Sequence, residues 1–209
     1  NSDGDPGSYI STESRLLYGE WDFGAGKLLL GKDYTPISQF VSGQAYDEDL
    51  GLLSIGAAYG NRISQVKLTF GGLQIALVEP KTGLIAGMSN TALITTTGAA
   101  TILGPISQAA NPAFTGGDPD AILPKIEAKY GMSFDMFSFN VMGGYQYFEI
   151  EDVLNQNGNT KDIDVNSWII GADAAVNFGP AYVKGAISYG INWSNAAWDI
   201  TGFKTGGSS

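Results

Sequence analysis

Neither cysteine nor histidine occurs in this chain. Without cysteine there is no disulfide framework and no thiolate metal site, and the chain is compatible with an oxidising compartment without being tied to one. Without histidine the usual general base of serine and cysteine hydrolases is missing, as is the commonest transition-metal ligand, so serine-histidine catalysis of the kind used by barrel phospholipases is excluded. Basic residues are scarce and scattered: 11 Lys and Arg against 21 Asp and Glu give a formal charge of −10. Phosphate backbones need clustered cations, which argues against a nucleic-acid partner. No run of about 18 apolar residues exists to form a transmembrane helix. No charged-then-apolar signal sequence opens the chain, whose first residues, NSDGDPGS, read as the inside of a loop.

What the chain has in quantity is glycine (29 residues) and aromatic rings (10 Phe, 10 Tyr, 4 Trp), within 209 residues that are 44% hydrophobic. Tight turns and rings at an interface belong to β-proteins more than to helical bundles. Residues 14–23 and 27–36 form a first hairpin, with Gly24, Ala25 and Gly26 expected to supply the positive-φ turn. In its first strand Leu17, Gly19, Trp21 and Phe23 share one face, and Tyr18, Glu20 and Asp22 the other. The second strand is ambiguous in parity because Leu28, Leu29 and Leu30 are consecutive. Lys32 is placed inward there, since a charge facing lipid near mid-membrane costs roughly 2 to 4 kcal/mol.

Further along, Gln65, Lys67 and Thr69 alternate with Val66, Leu68 and Phe70 before the Gly71-Gly72 turn, and residues 74–79 continue extended. From residue 127 the alternation is clearest. Glu127, Lys129 and Gly131 oppose Ala128, Tyr130 and Met132; then Phe137, Phe139, Val141, Tyr145 and Tyr147 oppose Ser138, Asn140, Met142 and Gln146. The last hairpin sets Trp168, Ile170, Ala172 and Val176 against Asp173 and Asn177. It then sets Val183, Ile187, Tyr189, Ile191 and Trp193 against Lys184 and Ser188. A charge flanked by apolar neighbours in a strand suits a wet lumen better than a dry sandwich core. Phe23, Phe70, Phe134 and Phe178 lie beside short turns and Trp168 and Trp193 at the opposite strand ends, where two interfacial belts would fall.

The connections are uneven. Residues 37–61, ISQFVSGQAYDEDLGLLSIGAAYGN, are far too long for a hairpin turn and read as a loop folded back into the mouth of a membrane barrel; residues 81–123 form a second long connection, and residues 152–164, DVLNQNGNTKDID, read as a third, hydrophilic one. Four short turns against three long connections is the rhythm of an outer-membrane barrel. The expected fold is therefore all-β, a transmembrane antiparallel β-barrel wall of about eight strands in one domain spanning 1–209. Alternating strands with Gly turns also occur in soluble β-sandwiches, which remain the rival fold.

The stretch YGEWDFGAGKLLLGKDYTP (18–36), continued by YGNRISQVKLTFGGLQIALVEP (59–80), resembles the general porins of Gram-negative outer membranes. There a strand, an FG-containing turn and a strand ending in LG, a basic residue and TP precede the constriction loop. The resemblance implies the middle of a sixteen-stranded, trimeric diffusion barrel with short periplasmic turns and long extracellular loops. It also implies an outer-membrane location, contact with membrane lipid and lipopolysaccharide, and passage of small hydrophilic solutes and ions with no cofactor and no catalysis. It makes residues 37–61 the pore-constricting third loop, Lys32 and Arg62 two of the basic wall positions, and Asp47, Glu48 and Asp49 the facing acids. The chain departs from the family in having Lys32 where Arg is usual, and in lacking the loop's Pro-Glu-Phe-Gly turn. Lys67, Glu127, Lys129, Asp173 and Lys184 are expected to line the lumen without specific solute contacts. A complete eight-stranded barrel is the rival to a piece of a longer one, but its interior is filled by side chains and has no room for so long an inward loop. A non-conducting structural or adhesive barrel is the alternative function.

Two acid-containing stretches, NSDGDPG and GGDPD (116–120), have spacings that Ca²⁺ could use, but Asp-Gly and Asp-Pro pairs are ordinary turn formers and no metal site is expected. Glu149 and Glu151 read as a solvated strand rim, not as an acid-base pair.

Overall fold

The computed structural model describes residues 14–41, 56–82, 118–154 and 160–200. Their strands are β1 (Leu17–Asp22), β2 (Lys27–Tyr34), β3 (Ala58–Tyr59), β4 (Arg62–Phe70), β5 (Leu73–Val78), β6 (Asp118–Asp120), β7 (Lys125–Ser133), β8 (Phe137–Leu154), β9 (Thr160–Asn177), β10 (Tyr182–Ile191) and β11 (Asp199–Ile200). Period-two alternation makes each main strand two-faced, and sequence neighbours joined by short turns pair antiparallel. The result is one nine-stranded sheet, in the order β1-β2-β4-β5-β7-β8-β9-β10, with β6 added beside the far part of β8. The path is open, since no pairing joins β1 to β10 among the described residues. The described strands thus form one large antiparallel sheet, with β3 and β11 paired apart from it.

Short turns join β1 to β2, β4 to β5, β7 to β8 and β9 to β10, and a phenylalanine stands before each. In three of them its amide closes the turn: Phe23 N donates to Gly26 O (3.1 Å), Phe134 N to Phe137 O (2.6 Å) and Phe178 N to Ala181 O (2.8 Å). Phe23 and Phe70 lie 5.8 Å apart edge to face. The positive φ of the first turn falls on Gly24 (+87°) alone. Gly26 is required for a different reason, since a Cβ there would stand 2.6 Å from Thr69 O.

Cross-strand partners share a face, so the register sorts the side chains. One face carries Leu29, Ile63, Gln65, Ala76, Val78, Glu127, Met142, Gln146 and Ile169, all buried. Glu127, Met142 and Ile169 among them lie under two chain segments, 35–41 with 57–61 and 193–200. Within these segments β3 and β11 pair with each other as a separate two-stranded ladder. We call this the covered face. The opposite, open face is apolar across the full width of the sheet and has nothing packed on it among the described residues: Leu17 is 71% exposed, Trp21 64%, Ile170 55% and Ile187 71%.

Two sequence expectations change. Residues 152–164 are not a loop, because β8 and β9 pair beyond Ile150↔Ile163 to Leu154↔Thr160 across a register shift, leaving only 155–159 outside the described residues. The polar residues there still alternate, and a hairpin standing in water has no need of an apolar face, so composition disguised the strands. Trp193 does not end β10. It opens a 3₁₀ turn, Trp193–Ala196, entered through Asn192 in the left-handed conformation. Of the two long connections, residues 42–55 and 83–117 lie outside the described residues.

Candidate functional site

The covered face and the segments laid on it are joined by buried polar contacts. The first segment leaves β2 after Tyr34 and turns at once, with Ser38 N donating to Thr35 O (3.0 Å) and Thr35 N to Asn61 O (3.2 Å). Its outgoing and returning limbs are tied together by Gln39 N to Ala58 O (2.9 Å) and Gly60 N to Ser38 Oγ (3.1 Å). Ile37 is fully buried against Met142 and Ile169. Gln39, also fully buried, uses both ends of its amide. Its Oε1 accepts from Ala58 N (2.7 Å) and Ser188 Oγ (2.8 Å), while its Nε2 donates to Asp173 Oδ2 (3.3 Å). A carbonyl oxygen with two lone pairs and an NH₂ with two donors allows one side chain to join the segment, β9 and β10.

β7 places Lys125, Glu127 and Lys129 on the covered face at successive period-two positions. Lys125 and Glu127 are fully buried and stand 3.3 Å apart, Nζ to Oε1. A charge in such a place persists only when its bonds are satisfied. Lys125 Nζ also donates to Ala196 O (3.0 Å) and sits 5.1 Å from the centre of the Trp198 ring. Glu127 accepts from two segments at once, Ile37 N at Oε2 (3.2 Å) and Trp198 Nε1 at Oε1 (2.8 Å). Elsewhere on this face Lys67 Nζ meets Asp33 Oδ2 at 2.6 Å, and Asp173 Oδ1 accepts from Asn140 Nδ2 at 2.6 Å. Lys129 Nζ has Ser38 O at 3.5 Å.

Of the side chains expected to line a lumen, Lys67, Glu127, Lys129, Asp173 and Lys184 all fall on the covered face by register. Lys184 stands apart from the rest, exposed near the short-turn end with its Nζ 5.1 Å from the Tyr182 ring centre.

Lys32 does not join them, which corrects its inward placement. It pairs with Leu17 and Ser64 and so takes the open-face parity, with its Nζ donating to Ser14 O (3.0 Å). The reason is the leucine triplet: Leu29 is the member that is buried, so the odd positions of β2 face inward and Asp33, not Lys32, meets the charges of β4. Arg62 pairs with Tyr34 at the loop end of the sheet. Its Nη1 donates to the Tyr34 hydroxyl (3.2 Å), and the Tyr34 ring meets Phe40 of the inward segment edge to face at 4.9 Å. Asp47, Glu48 and Asp49 lie outside the described residues.

Sequence reasoning missed Asp33, Lys125, Gln39 and Trp198. Lys125 was within reach, because KIEAK is a charge alternation that begins two residues before Glu127. Asp33 depended on a parity that three leucines conceal. Gln39 and Trp198 lie in stretches without periodicity, and no local signal marks either.

Comparison with known proteins gives no match to a family model, a curated protein or a solved structure. Among the described residues no helix is long and apolar enough to cross a membrane, which says nothing about crossing by strands. No group of three or more metal-ligating side chains occurs among them either.

Proposed function

We propose that this chain is barrel wall of an outer-membrane porin, a water-filled channel for passive diffusion of small hydrophilic solutes and ions. The observation that carries the reading is the distribution of side chains between the two faces. A soluble sheet turns its apolar face to a core and its polar face to water. Here the apolar face is bare from β1 to β10 among the described residues, while Lys125 and Glu127 lie buried on the other face under inward-folded chain. Hydrocarbon on the open side and water on the covered side satisfy both faces together.

Strand length supports the same reading. A tilted strand crosses hydrocarbon in about 9 to 11 residues, which β4, β7 and β10 match and β8 and β9 exceed, while β1, β2 and β5 are shorter at 6, 8 and 6. Edges of unpaired backbone are costly in lipid, so the free edges of β1 and β10 call for closure by further strands. A sixteen-stranded homotrimer, as in the general porins that residues 18–36 and 59–80 resemble, provides that closure. In it the segment from Ile37 narrows the lumen from the extracellular side, and the bare face meets lipid, lipopolysaccharide and neighbouring subunits.

The test is to produce the protein in a Gram-negative host, fractionate the membranes and reconstitute the detergent extract in a planar bilayer. Recovery in the outer membrane followed by stepwise conductance is expected. Incorporation without current identifies a structural or adhesive barrel, and recovery in solution without detergent identifies a soluble β-domain.

A further inference from the structure

We propose that residues 193–200 are a second constricting element, seated beside the loop that begins at Ile37, so that the two segments narrow the lumen together; this rests on the porin reading. Three observations place the segment inside. Trp198 is fully buried in one cluster with Ile37 and Ala58 of the loop and with Met142 and Ile169 of the covered face. The two segments bond to each other through the β3–β11 ladder, Tyr59↔Asp199 and Ala58↔Ile200, and through Asn61 Nδ2 to Ala197 O (2.7 Å). Both are held by the same carboxylate, Glu127, one oxygen to each.

The wall is cut to receive the indole. A Cβ on Gly144 of β8 would stand 2.6 Å from Trp198 Cζ2 and 3.3 Å from Ile37 Cδ1, so glycine is what allows the ring to approach the sheet at the loop's flank. A ring seated this way takes up lumen cross-section and also buttresses the loop. Its removal acts on the bore by both routes, through lost volume and a loosened loop.

The experiment compares single-channel conductance, and exclusion of polyethylene glycols of graded size, for the wild type, Trp198→Ala and a cysteine pair, Ala58→Cys with Ile200→Cys. The chain has no cysteine of its own, and facing residues of an antiparallel ladder lie at a separation a disulfide can span. The expected results are higher conductance and a size limit shifted to larger polymers for Trp198→Ala. The 58–200 bridge should form on oxidation, with conductance close to that of the wild type. Should Trp198→Ala fail to insert, Gly144→Ala, whose Cβ occupies the seat of the ring, is read in the same way. A wild type that conducts while Trp198→Ala or Gly144→Ala leaves both readouts unchanged overturns the inference, as does a conducting channel in which the bridge never forms. A wild type that inserts and passes no current overturns instead the porin reading on which the inference stands.

Discussion

At the scale of single residues, the buried pair Lys125 and Glu127 governs the covered face. Neither charge is accessible to water, so removing one partner strands the other. Glu127→Ala is expected to cost about 3 to 5 kcal/mol, read as a lowered urea midpoint of the detergent-solubilised protein. The loss includes the acceptors for Ile37 N and Trp198 Nε1. Replacing both charges, Lys125→Met with Glu127→Gln, leaves no isolated ion and keeps one acceptor oxygen, so the double variant should be more stable than Glu127→Ala alone. A double variant equal to the single one would mean that the stranded ammonium is not what makes the single change costly.

At the scale of elements, β8 is the strand whose faces differ most. Phe139, Val141, Tyr145 and Tyr147 are on the open face, while Asn140 is bonded to Asp173 and Gln146 clamps both backbone groups of Lys81 (Nε2 to O, 3.0 Å; Oε1 from N, 3.2 Å). Single cysteines probed in intact membranes with an impermeant thiol reagent should label at position 140 and not at 139 or 141. Position 146, only 1% exposed, should label more slowly than 140. Labelling of 139 and 141 in preference to 140 would reverse the faces.

Farther along, β8 and β9 continue past the length needed to cross hydrocarbon, and Glu149 faces Asp164 directly. Burial, then the carboxylates of Asp164 and Asp162, push Glu149 above the usual glutamate range. A carboxyl whose folded pKa is raised stabilises the fold below its unfolded value and loses that contribution as pH rises through the raised one. The outer hairpin should therefore loosen above the ordinary glutamate range. Glu149→Gln should slow amide hydrogen exchange at residues 149 and 164 near neutral pH and change it little near pH 4.

At the scale of the whole molecule, the porin proposal makes selectivity depend on which charges face the water path. Low-dielectric walls leave close charges poorly screened, so those beside the narrowest point act most strongly on a passing ion. Lys67→Gln with Lys129→Gln should shift the reversal potential under a salt gradient towards cations. Lys32→Gln, on the open face, should leave it unchanged. Changing Asp47, Glu48 and Asp49 to Asn, Gln and Asn should shift it towards anions, with neutralisation of Asp162 and Asp164 in the outer hairpin as the comparison. An equal shift from the outer pair would assign selectivity to a generally acidic vestibule in place of a constriction.

The sequence by itself determined what is periodic and local. Alternation in β4, β7, β8, β9 and β10 marks strands and sorts their faces, because side chains in a strand project to opposite sides in strict turn. Glycine pairs and the phenylalanines beside them mark the short turns, because a hairpin closes through its own neighbours. The parity of β2 was not legible, since an unbroken leucine triplet presents the same surface to either face and only pairing with β4 decides which member is covered. The length of the β8–β9 hairpin escaped because its outer part is rich in acidic residues that read as a hydrophilic loop, and only the pairing across the register shift identifies it as strand. Only the tertiary structure joined Ile37, Gln39, Glu127 and Trp198. Their long-range bonds span 71 to 149 residues of chain (Glu127 to Trp198, Gln39 to Ser188), and a bond closed across such a distance depends on where the whole sheet brings its strands, which no local pattern encodes.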